Sequence, residues 1–299
     1  MKALVTGGTG FIGSNLVAHL LENKHDVYIM GTECEQEVPI IEQKRFATLE
    51  ELEVSNEHFD VIFHQSANND TTLLNRKQMV NDNVNFSKRL FNVAIANNCK
   101  RIVFASSTAV YGDAPVPYRE DGPINPLNPY AKSKKQVEYL AMTLAKKHSD
   151  VVFVGLRYCN VYGPRENHKG KRASMIYQLA QQMLKGNPRI FKYGEQKRDY
   201  IYVKDVVAAN MRAAEAKENC IVNCGLGKAT SFNELIQLLN KVLGTNRTPE
   251  YIENPYTGRY QDYTECDTQL ARKKLGFVPK YTLAQGIDDY YKSGYLTKP

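Results

Sequence analysis

The residues best suited to chemistry lie in two short segments, SSTAVYG from Ser106 and, eighteen residues after its end, YAKSK. If Pro129 opens a helix in its first turn, Tyr130 and Lys134 lie on one helical face with Cβ atoms ~5–6 Å apart. A neighbouring ammonium favours a phenolate, so we expect the pKa of Tyr130 to fall from about 10 toward that of a general base. Ser107, at the end of the apolar run RIVFASS, would hold a substrate oxygen near the phenol. The same spacing also occurs on ordinary helix surfaces, so other parts of the chain must decide.

The amino terminus has the pattern of a strand, a glycine turn and a helix. Lys2 to Val5 is apolar and leads into TGGTGFIG, and the following SNLVAHLLENKHD has apolar residues at helical spacing. Such a turn lets the backbone approach a pyrophosphate, whose charge is met by the N–H groups and dipole at the helix start. The sequence therefore predicts dinucleotide binding by Gly7, Gly10 and Gly13, with Gly8 giving the alternative G-x-G-x-x-G spacing.

The second strand, Asp26 to Met30, should end with an acid for the adenosine ribose. The strand-end position is instead Gly31, and the nearest acid is Glu33. Either Glu33 reaches back to the ribose, or a 2′-phosphate is tolerated with Lys44 or Arg45 as its partner. The sequence leaves both alternatives open.

Further strands alternate with helices along the chain. The apolar runs at 60–65, 101–105 and 151–156 are typical of buried parallel strands, and Asn83 to Asn97 has helical spacing. We predict an α/β fold with a Rossmann-type doubly wound parallel sheet. His64 lies inside an apolar strand, and we interpret it as a hydrogen-bonded core histidine and not a catalyst.

The pattern changes beyond about residue 164, where helices predominate. Helices are predicted at 174–185, after the cap residue Ser231, and at 283–291, with a strand at 220–224. We predict a smaller C-terminal α/β substrate-binding lobe over the carboxyl ends of the sheet. The predicted boundaries are 1–163, with about 198–224, for the dinucleotide-binding domain, and about 164–197 and 225–299 for the lobe.

Composition narrows the classes of function. No apolar run approaches the ~20 residues of a membrane span, and the start lacks a signal-peptide pattern, so we expect a cytoplasmic protein without a membrane partner. The net charge of +7 is dispersed without a basic run, which favours anionic small molecules over nucleic acid. The six cysteines are scattered without a zinc-site spacing, and we expect free, mostly buried thiols and no metal site.

Together, TGGTGFIG, SSTAVYG and YAKSK resemble the extended short-chain dehydrogenase/reductase family, and in particular its nucleotide-sugar epimerases, from Lys2 to about Asp267. The resemblance implies a tightly bound NAD or NADP, a nucleotide-diphosphate-sugar substrate and a homo-oligomer. Its implied cofactor contacts are Gly7, Gly10, Phe11, Ile12, Gly13, Gly31, Glu33, Ala67, Asn83, Tyr130 and Lys134. Its implied substrate contacts are Ser107, Asn160, Lys169, Arg198, Arg259 and Tyr260.

Within that family, PRENHKGKRAS, GRYQDYTECD and the DTT after Ala67 look most like the ADP-L-glycero-D-manno-heptose 6-epimerases. This resemblance implies that Lys169 is a second acid/base opposite Tyr130. The alternative is a solvated loop lysine. Arg198 and Arg259 would bind the substrate diphosphate.

The implied reaction inverts one sugar stereocentre by transient oxidation to a ketone. A related UDP-sugar 4-epimerase, or a nucleotide-sugar 4-ketoreductase or dehydrogenase, is the nearest alternative. A 4,6-dehydratase is disfavoured because Thr108 and Ala109 follow Ser107, where a carboxylate pair is common. A non-catalytic dinucleotide-binding sensor is the alternative from another class, since fold does not guarantee activity.

Overall fold

The computed structural model describes residues 1–31, 44–253 and 262–298 of the chain. The strands are β1 (Lys2–Thr6), β2 (Asp26–Met30), β3 (Lys44–Phe46), β4 (Val61–His64), β5 (Arg101–Ser107), β6 (Val152–Tyr158), β7 (Asn160–Tyr162), β8 (Arg189–Phe191), β9 (Lys197–Tyr202), β10 (Cys220–Cys224), β11 (Ala229–Ser231) and β12 (Glu250–Ile252). The helices are α1 (Phe11–Glu22), α2 (Leu49–Ser55), α3 (Arg76–Met79), α4 (Phe86–Ala96), α5 (Pro129–Lys147), α6 (Met175–Met183), α7 (Val203–Ala214), α8 (Phe232–Leu243), α9 (Gln269–Leu275) and α10 (Leu283–Lys292).

A seven-stranded sheet in the order β10-β6-β5-β4-β1-β2-β3 forms the centre of the fold. Each neighbouring pair in it is parallel. The chain moves outward from β1 through β2 to β3, then returns to the other side of β1 as β4. This reversal leaves a crevice at the carboxyl ends of β1 and β4, where open α/β folds bind ligands. The predicted Rossmann-type sheet is confirmed.

Helices cover both faces of this sheet, which explains why its central strands are largely apolar. Helices α1, α7 and α9 share a buried core with one face, and α2, α4 and α5 share a core with the other. The arrangement fixes the carboxyl ends of β1, β4 and β5 as the accessible edge between two helical layers.

The smaller lobe has a core of its own. Helices α6, α8 and α10 pack with two small sheets, β11-β9-β7 and β12-β8. Phe11, at the start of α1, belongs to the same apolar cluster. The lobe therefore packs directly against the glycine-rich turn.

Several short elements have no counterpart in the predictions. Among them, β3 has the polar sequence KRF and α2 is only seven residues long with three glutamates, so neither has a sustained apolar periodicity on which a prediction could rest. The helix predicted from Asn83 begins as a π-helical turn, Val80–Asn85, which leads into α4. None of the helices in the three described ranges is both long and apolar enough to cross a bilayer.

The prediction that the cysteines are free thiols is wrong for one pair. Cys159 and Cys266 are joined as a disulfide although 107 positions separate them in sequence. Their pairing depends on tertiary packing of the segment before α9 against the end of β6, which no local pattern reveals. Cys34 lies outside the described residues. The free cysteines in the described ranges are Cys99, Cys220 and Cys224, all buried.

A capping box fixes the start of α8, as the predicted cap at Ser231 requires. The Ser231 hydroxyl accepts a hydrogen bond from the Glu234 backbone N–H, and the Glu234 carboxylate accepts one from the Ser231 N–H. We expect Ser231→Ala to lower the free energy of unfolding by about 1 kcal/mol, because it leaves helix N–H groups without an acceptor. Urea denaturation measures the change. Ser231→Thr, which keeps the hydroxyl, should retain most of the stability, and equal values for all three proteins would contradict the assignment.

Candidate active site

The glycine-rich turn after β1 is held by an unusually close backbone approach. Gly7 adopts a φ of +67°, and its carbonyl oxygen accepts a hydrogen bond from the Gly10 N–H at 2.9 Å. A Cβ on Gly13 would lie 2.0 Å from the same carbonyl oxygen. Helix α1 can pack this closely against the turn only because residue 13 has no side chain.

The start of α1 is suited to an anion. Its N-cap residue, Gly10, provides no side-chain cap, and its first turn carries no acidic residue. The first N–H groups of a helix lack intrahelical partners and carry the positive end of the helix dipole. These groups lie at the crevice between β1 and β4.

A cavity of about 610 Å³ occupies this crevice. Its predicted lining residues are Gly7, Gly10, Phe11, Ile12, Gly13, Gly31, Ala67 and Lys169. Sequence reasoning did not identify several further lining residues, which include Thr9, Thr48, Gln65, Ser66, Asn68 and Arg172. These side chains come from four separate segments, and only the sheet order brings them together.

The cavity fits the dinucleotide that the sequence predicts. It combines a close-approach glycine turn, free helix N–H groups and a volume within the usual range for small-molecule sites, ~300–1,000 Å³. Gly31 lines it at the end of β2, and the guanidinium of Arg45 on β3 donates to the Gly31 carbonyl oxygen at 2.9 Å. A cation therefore lies where a ribose-binding acid is common. Glu33 lies outside the described residues.

The predicted serine and tyrosine meet at the carboxyl end of β5. Ser107 is the last residue of that strand, and Tyr130 follows Pro129 in the first turn of α5. Asn128 caps this helix by accepting the Ala131 N–H at 2.8 Å. The Ser107 hydroxyl lies close enough to the Tyr130 phenol to lower its pKa. This geometry places a phenol and a hydroxyl side by side, as the sequence predicts.

The expectation of a lowered Tyr130 pKa is wrong for the described structure. Burial raises the pKa of Tyr130, because a phenolate is disfavoured away from water, while the Ser107 hydroxyl acts in the opposite direction. The Lys134 ammonium nitrogen lies 5.8 Å from the centroid of the Tyr130 ring. Spacing in sequence predicted the neighbouring charge but not the desolvation that outweighs it.

Lys134 is almost completely buried, with 5% of its surface exposed. Its ammonium donates to the Ala105 carbonyl oxygen of β5 at 2.8 Å. Burial lowers the pKa of Lys134 and the Glu138 carboxylate partly opposes this, which leaves the pKa at about 8. Lys134 is therefore still mainly a cation at pH 7, and that cation lies beneath the Tyr130 ring.

His64 is a core residue, as interpreted from the sequence. Its two ring nitrogens are hydrogen-bonded to the hydroxyl groups of Thr6 and Ser87, each at 2.8 Å. Burial and, to a smaller extent, the Lys134 cation lower the pKa of His64 to about 3, so the ring is neutral.

Asn83 connects the cavity to the tyrosine helix. Its side-chain oxygen accepts the Asn68 N–H at 2.7 Å, and its amide donates to the Asn68 carbonyl oxygen and to Ser133 Oγ. Ser133 lies on α5, and Asn68 lines the cavity. Through these contacts, the Asn83 amide holds the loop after β4 against α5.

Lys169 lines the same cavity, from the segment that follows β7. It is half-buried in the 3₁₀ turn Asn167–Arg172, with its ammonium nitrogen 5.2 Å from the centroid of the Phe11 ring. Burial lowers the pKa of Lys169; Glu166 raises it and Arg172 lowers it further. The alternative of a fully solvated loop lysine does not describe this position.

Two further predicted substrate residues, Asn160 and Arg198, lie on the small sheet of the lobe. The Asn160 amide on β7 donates to the Asp199 carbonyl oxygen at 3.1 Å, and Arg198 on β9 donates to the Lys197 carbonyl oxygen at 2.8 Å. Arg198 is nearly buried, and its guanidinium carbon lies 5.9 Å from the Phe232 ring centroid. Arg259 and Tyr260 lie outside the described residues.

Asp199 lies next to the Cys159–Cys266 pair, and their ligand-type atoms fall within 4.8 Å of one another. The two sulfur atoms are paired, and the Asp199 oxygens accept the backbone N–H groups of Leu226, Gly227 and Cys266. These donor atoms are already engaged, and we assign no metal to the cluster.

Comparison with known proteins gives the family. A sequence model of the NAD dependent epimerase/dehydratase family matches residues 3–225. The chain belongs to this family. It is therefore an enzyme of a NAD-dependent class, which confirms the resemblance inferred from the glycine turn and from Ser107, Tyr130 and Lys134.

Solved structures of nucleotide-sugar epimerases are similar over almost the whole chain. The ADP-L-glycero-D-manno-heptose-6-epimerase of Helicobacter pylori is 33% identical, with a TM-score of 0.87 over 98% of this chain and 95% of that one. The UDP-glucose 4-epimerase of Thermotoga maritima, solved with UDP-glucose, is 30% identical, with a TM-score of 0.90 over 98% and 99%. The UDP-glucuronic acid 4-epimerase of Bacillus cereus, in complex with UDP-glucuronic acid and NAD, is 26% identical, with a TM-score of 0.84 over 99% of both chains.

The close approach at Gly13 predicts the effect of one added methyl group. Gly13→Ala should force α1 away from the turn and reduce cofactor retention at least tenfold, because the methyl group would overlap the Gly7 carbonyl. The measurement is cofactor content of the purified protein together with dinucleotide titration. Gly186→Ala is the control, since a Cβ there meets no atom within 4 Å. Equal retention in Gly13→Ala and wild type would remove the turn from the binding site.

Proposed function

We propose that this enzyme is a nucleotide-sugar epimerase that inverts one sugar stereocentre, with ADP-heptose as its substrate and C6 as the carbon inverted. The observation that carries the proposal is the position of Tyr130 above the buried Lys134 cation and next to Ser107, at the same sheet edge as the dinucleotide cavity. The bound cofactor is NAD or NADP. The Arg45–Gly31 contact favours a cofactor with a 2′-phosphate, and mass spectrometry of the extracted cofactor distinguishes the two.

The proposed chemistry divides between cofactor and protein. A dinucleotide held by the glycine turn supplies reversible hydride exchange with the sugar carbon. Tyr130 accepts the proton of the sugar hydroxyl as that carbon becomes a ketone, and Ser107 orients the oxygen. The Lys134 cation and the Ser107 hydroxyl are the groups that favour the phenolate against burial. Because a ketone is planar, return of hydride to its other face inverts the centre with no net redox change.

Lys169 is the proposed second acid/base. Burial lowers the pKa of the Lys169 amine, which makes its proton easier to release, and Lys169 lines the same cavity as the glycine turn. In this scheme Tyr130 serves one face of the ketone and Lys169 serves the other. Asn160, Arg198, Arg259 and Tyr260 are the proposed contacts of the nucleotide-diphosphate-sugar.

The alternative is a UDP-sugar 4-epimerase, which the 30% identity to the Thermotoga maritima enzyme favours. The similarity to the Helicobacter pylori 6-epimerase and the placement of Lys169 support the 6-epimerase. We propose the boundaries 1–163 with about 198–224 for the cofactor domain, about 164–197 with 225–299 for the substrate lobe, and a homo-oligomeric assembly.

A panel of nucleotide-sugars tests the function. The purified protein is incubated with both epimers of ADP-heptose and with UDP-glucose, and NMR follows the products while absorbance follows the bound cofactor. Interconversion of the ADP-heptose epimers supports the proposal. Conversion of UDP-glucose alone would replace it with the 4-epimerase, and no conversion of any substrate would favour a non-catalytic role.

Tyr130→Phe tests the general base. We expect folding and cofactor content to be unchanged and turnover to fall ~10²–10⁴-fold, since the phenyl ring keeps the packing and cannot exchange a proton. Steady-state turnover and cofactor absorbance are the measurements. Tyr139→Phe, on the exposed face of the same helix, should match wild type. Turnover of Tyr130→Phe within threefold of wild type would exclude Tyr130 as the base.

Lys169→Met tests whether inversion needs two proton-transfer groups. We expect epimerisation to fall ~10²–10⁴-fold, whereas single-turnover oxidation of the epimer served by Tyr130 should persist. Lys171→Met, an exposed neighbour in the same turn, is the control. Wild-type epimerisation by Lys169→Met would contradict the two-base scheme and leave a single-tyrosine 4-epimerase as the better proposal.

A further inference from the structure

One face of α5 meets the end of β5 through three consecutive contacts. The helix residues are spaced by four, so they lie one above another on a single face. The contacts are Tyr130 with Ser107, Lys134 Nζ with the Ala105 carbonyl oxygen at 2.8 Å, and Glu138 Oε1 with Ser106 Oγ at 2.6 Å. The tyrosine, the lysine and a glutamate that no motif identified are therefore fixed to three successive strand residues.

Glu138 is held in turn by a buried ion pair. Its two carboxylate oxygens accept from Nε and Nη2 of Arg157, each at 2.8 Å, and both residues are 4% exposed. Arg157 lies on β6 directly opposite Ser106 in the sheet, and its Nη1 donates to the Tyr111 hydroxyl at 2.8 Å. A bidentate ion pair of this kind fixes the carboxylate in position and orientation.

The Glu138 carboxylate is also the anion that faces Lys134. Tyr130 on α5 and neutral His64 on β4 also lie near Lys134, and Glu138 is itself paired with the Arg157 cation on β6. Burial lowers the pKa of Lys134, and Glu138 opposes it. A buried ammonium without a nearby anion is driven toward its neutral form.

We propose that Glu138 is a positioning residue of the active site, which with Arg157 fixes α5 against β5 and keeps Lys134 a cation beneath Tyr130. The role of that cation rests on the proposed function. The geometry and charge around Lys134 do not, so they are tested without any nucleotide-sugar.

Glu138→Gln is the informative change. Glutamine has nearly the same shape and can still accept from Ser106, but it removes the negative charge and leaves Arg157 uncompensated. We expect the pKa of Lys134 to fall by a further ~1–3 units, so that Lys134 becomes mainly neutral at pH 7. A purely structural role predicts lower stability with the pKa of Lys134 unchanged.

The measurement is the ¹³Cε chemical shift of labelled lysine, followed against pH in the protein as purified. The signal of Lys134 is identified by its loss in Lys134→Arg. Val137→Ala is the matched control, since it removes a buried side chain from the same helix without changing charge. We expect the titration to shift in Glu138→Gln and to match wild type in Val137→Ala.

A double variant covers the case in which Glu138→Gln does not fold. Glu138→Met with Arg157→Met replaces the ion pair with apolar side chains of similar length, a change that buried pairs often tolerate. The pKa of Lys134 should again lie below the wild-type value, because its facing anion is gone. A wild-type titration of Lys134 in whichever variant folds would overturn the proposal, even if epimerase activity were established. A shifted titration would support it even if no nucleotide-sugar were converted.

Discussion

The close contact between residue 13 and the Gly7 carbonyl oxygen is the constraint on which the rest of the site depends. It seats α1 directly over the turn that follows β1, so that the free N–H groups at the helix start face the crevice beside β4. The segment after β7 then docks on the same helix, through Arg165 to the Ser14 carbonyl oxygen at 2.7 Å and through Asn15 to the Pro164 carbonyl oxygen at 2.9 Å. Displacement of α1 would therefore disturb both sides of the cavity.

Burial, more than any single charge, determines the ionisation of the groups beside this cavity. It raises the pKa of Tyr130 and lowers those of Lys134, Lys169 and His64. Desolvation disfavours the charged form of each group. It therefore raises the pKa of the tyrosine and lowers those of the two lysines and the histidine, so the neutral form of each is favoured. Individual partners oppose this effect of burial: Ser107 lowers the pKa of Tyr130, and Glu138 raises the pKa of Lys134.

Local patterns in the sequence predicted most of the fold. The bounds of β2 and β10 agree with the structure, because a buried parallel strand is apolar throughout. The glycine turn and the Tyr130–Lys134 pair were predictable because each depends on spacing within a single turn or helix. Strand β3 was not predictable, since its three residues, KRF, lack any apolar period.

What the sequence could not provide is the set of contacts made between distant segments. The Cys159–Cys266 pairing, the approach of Lys169 to Phe11, and the degree of burial around Tyr130 all arise from tertiary packing. Glu138 lies four residues after Lys134, but no motif identified it, and its role depends on Arg157 from another strand.

The 3₁₀ turn that carries Lys169 and Arg172 lines the crevice, as the glycine turn does. Hydrogen bonds of Arg165 and Asn15 hold the segment before this turn on α1, and a dinucleotide whose release required that segment to move would dissociate slowly. Long residence is a disadvantage for an enzyme that must exchange spent cofactor after every turnover. It is no disadvantage where each catalytic cycle regenerates the cofactor in place, so a single dinucleotide could serve as a prosthetic group through many successive substrates.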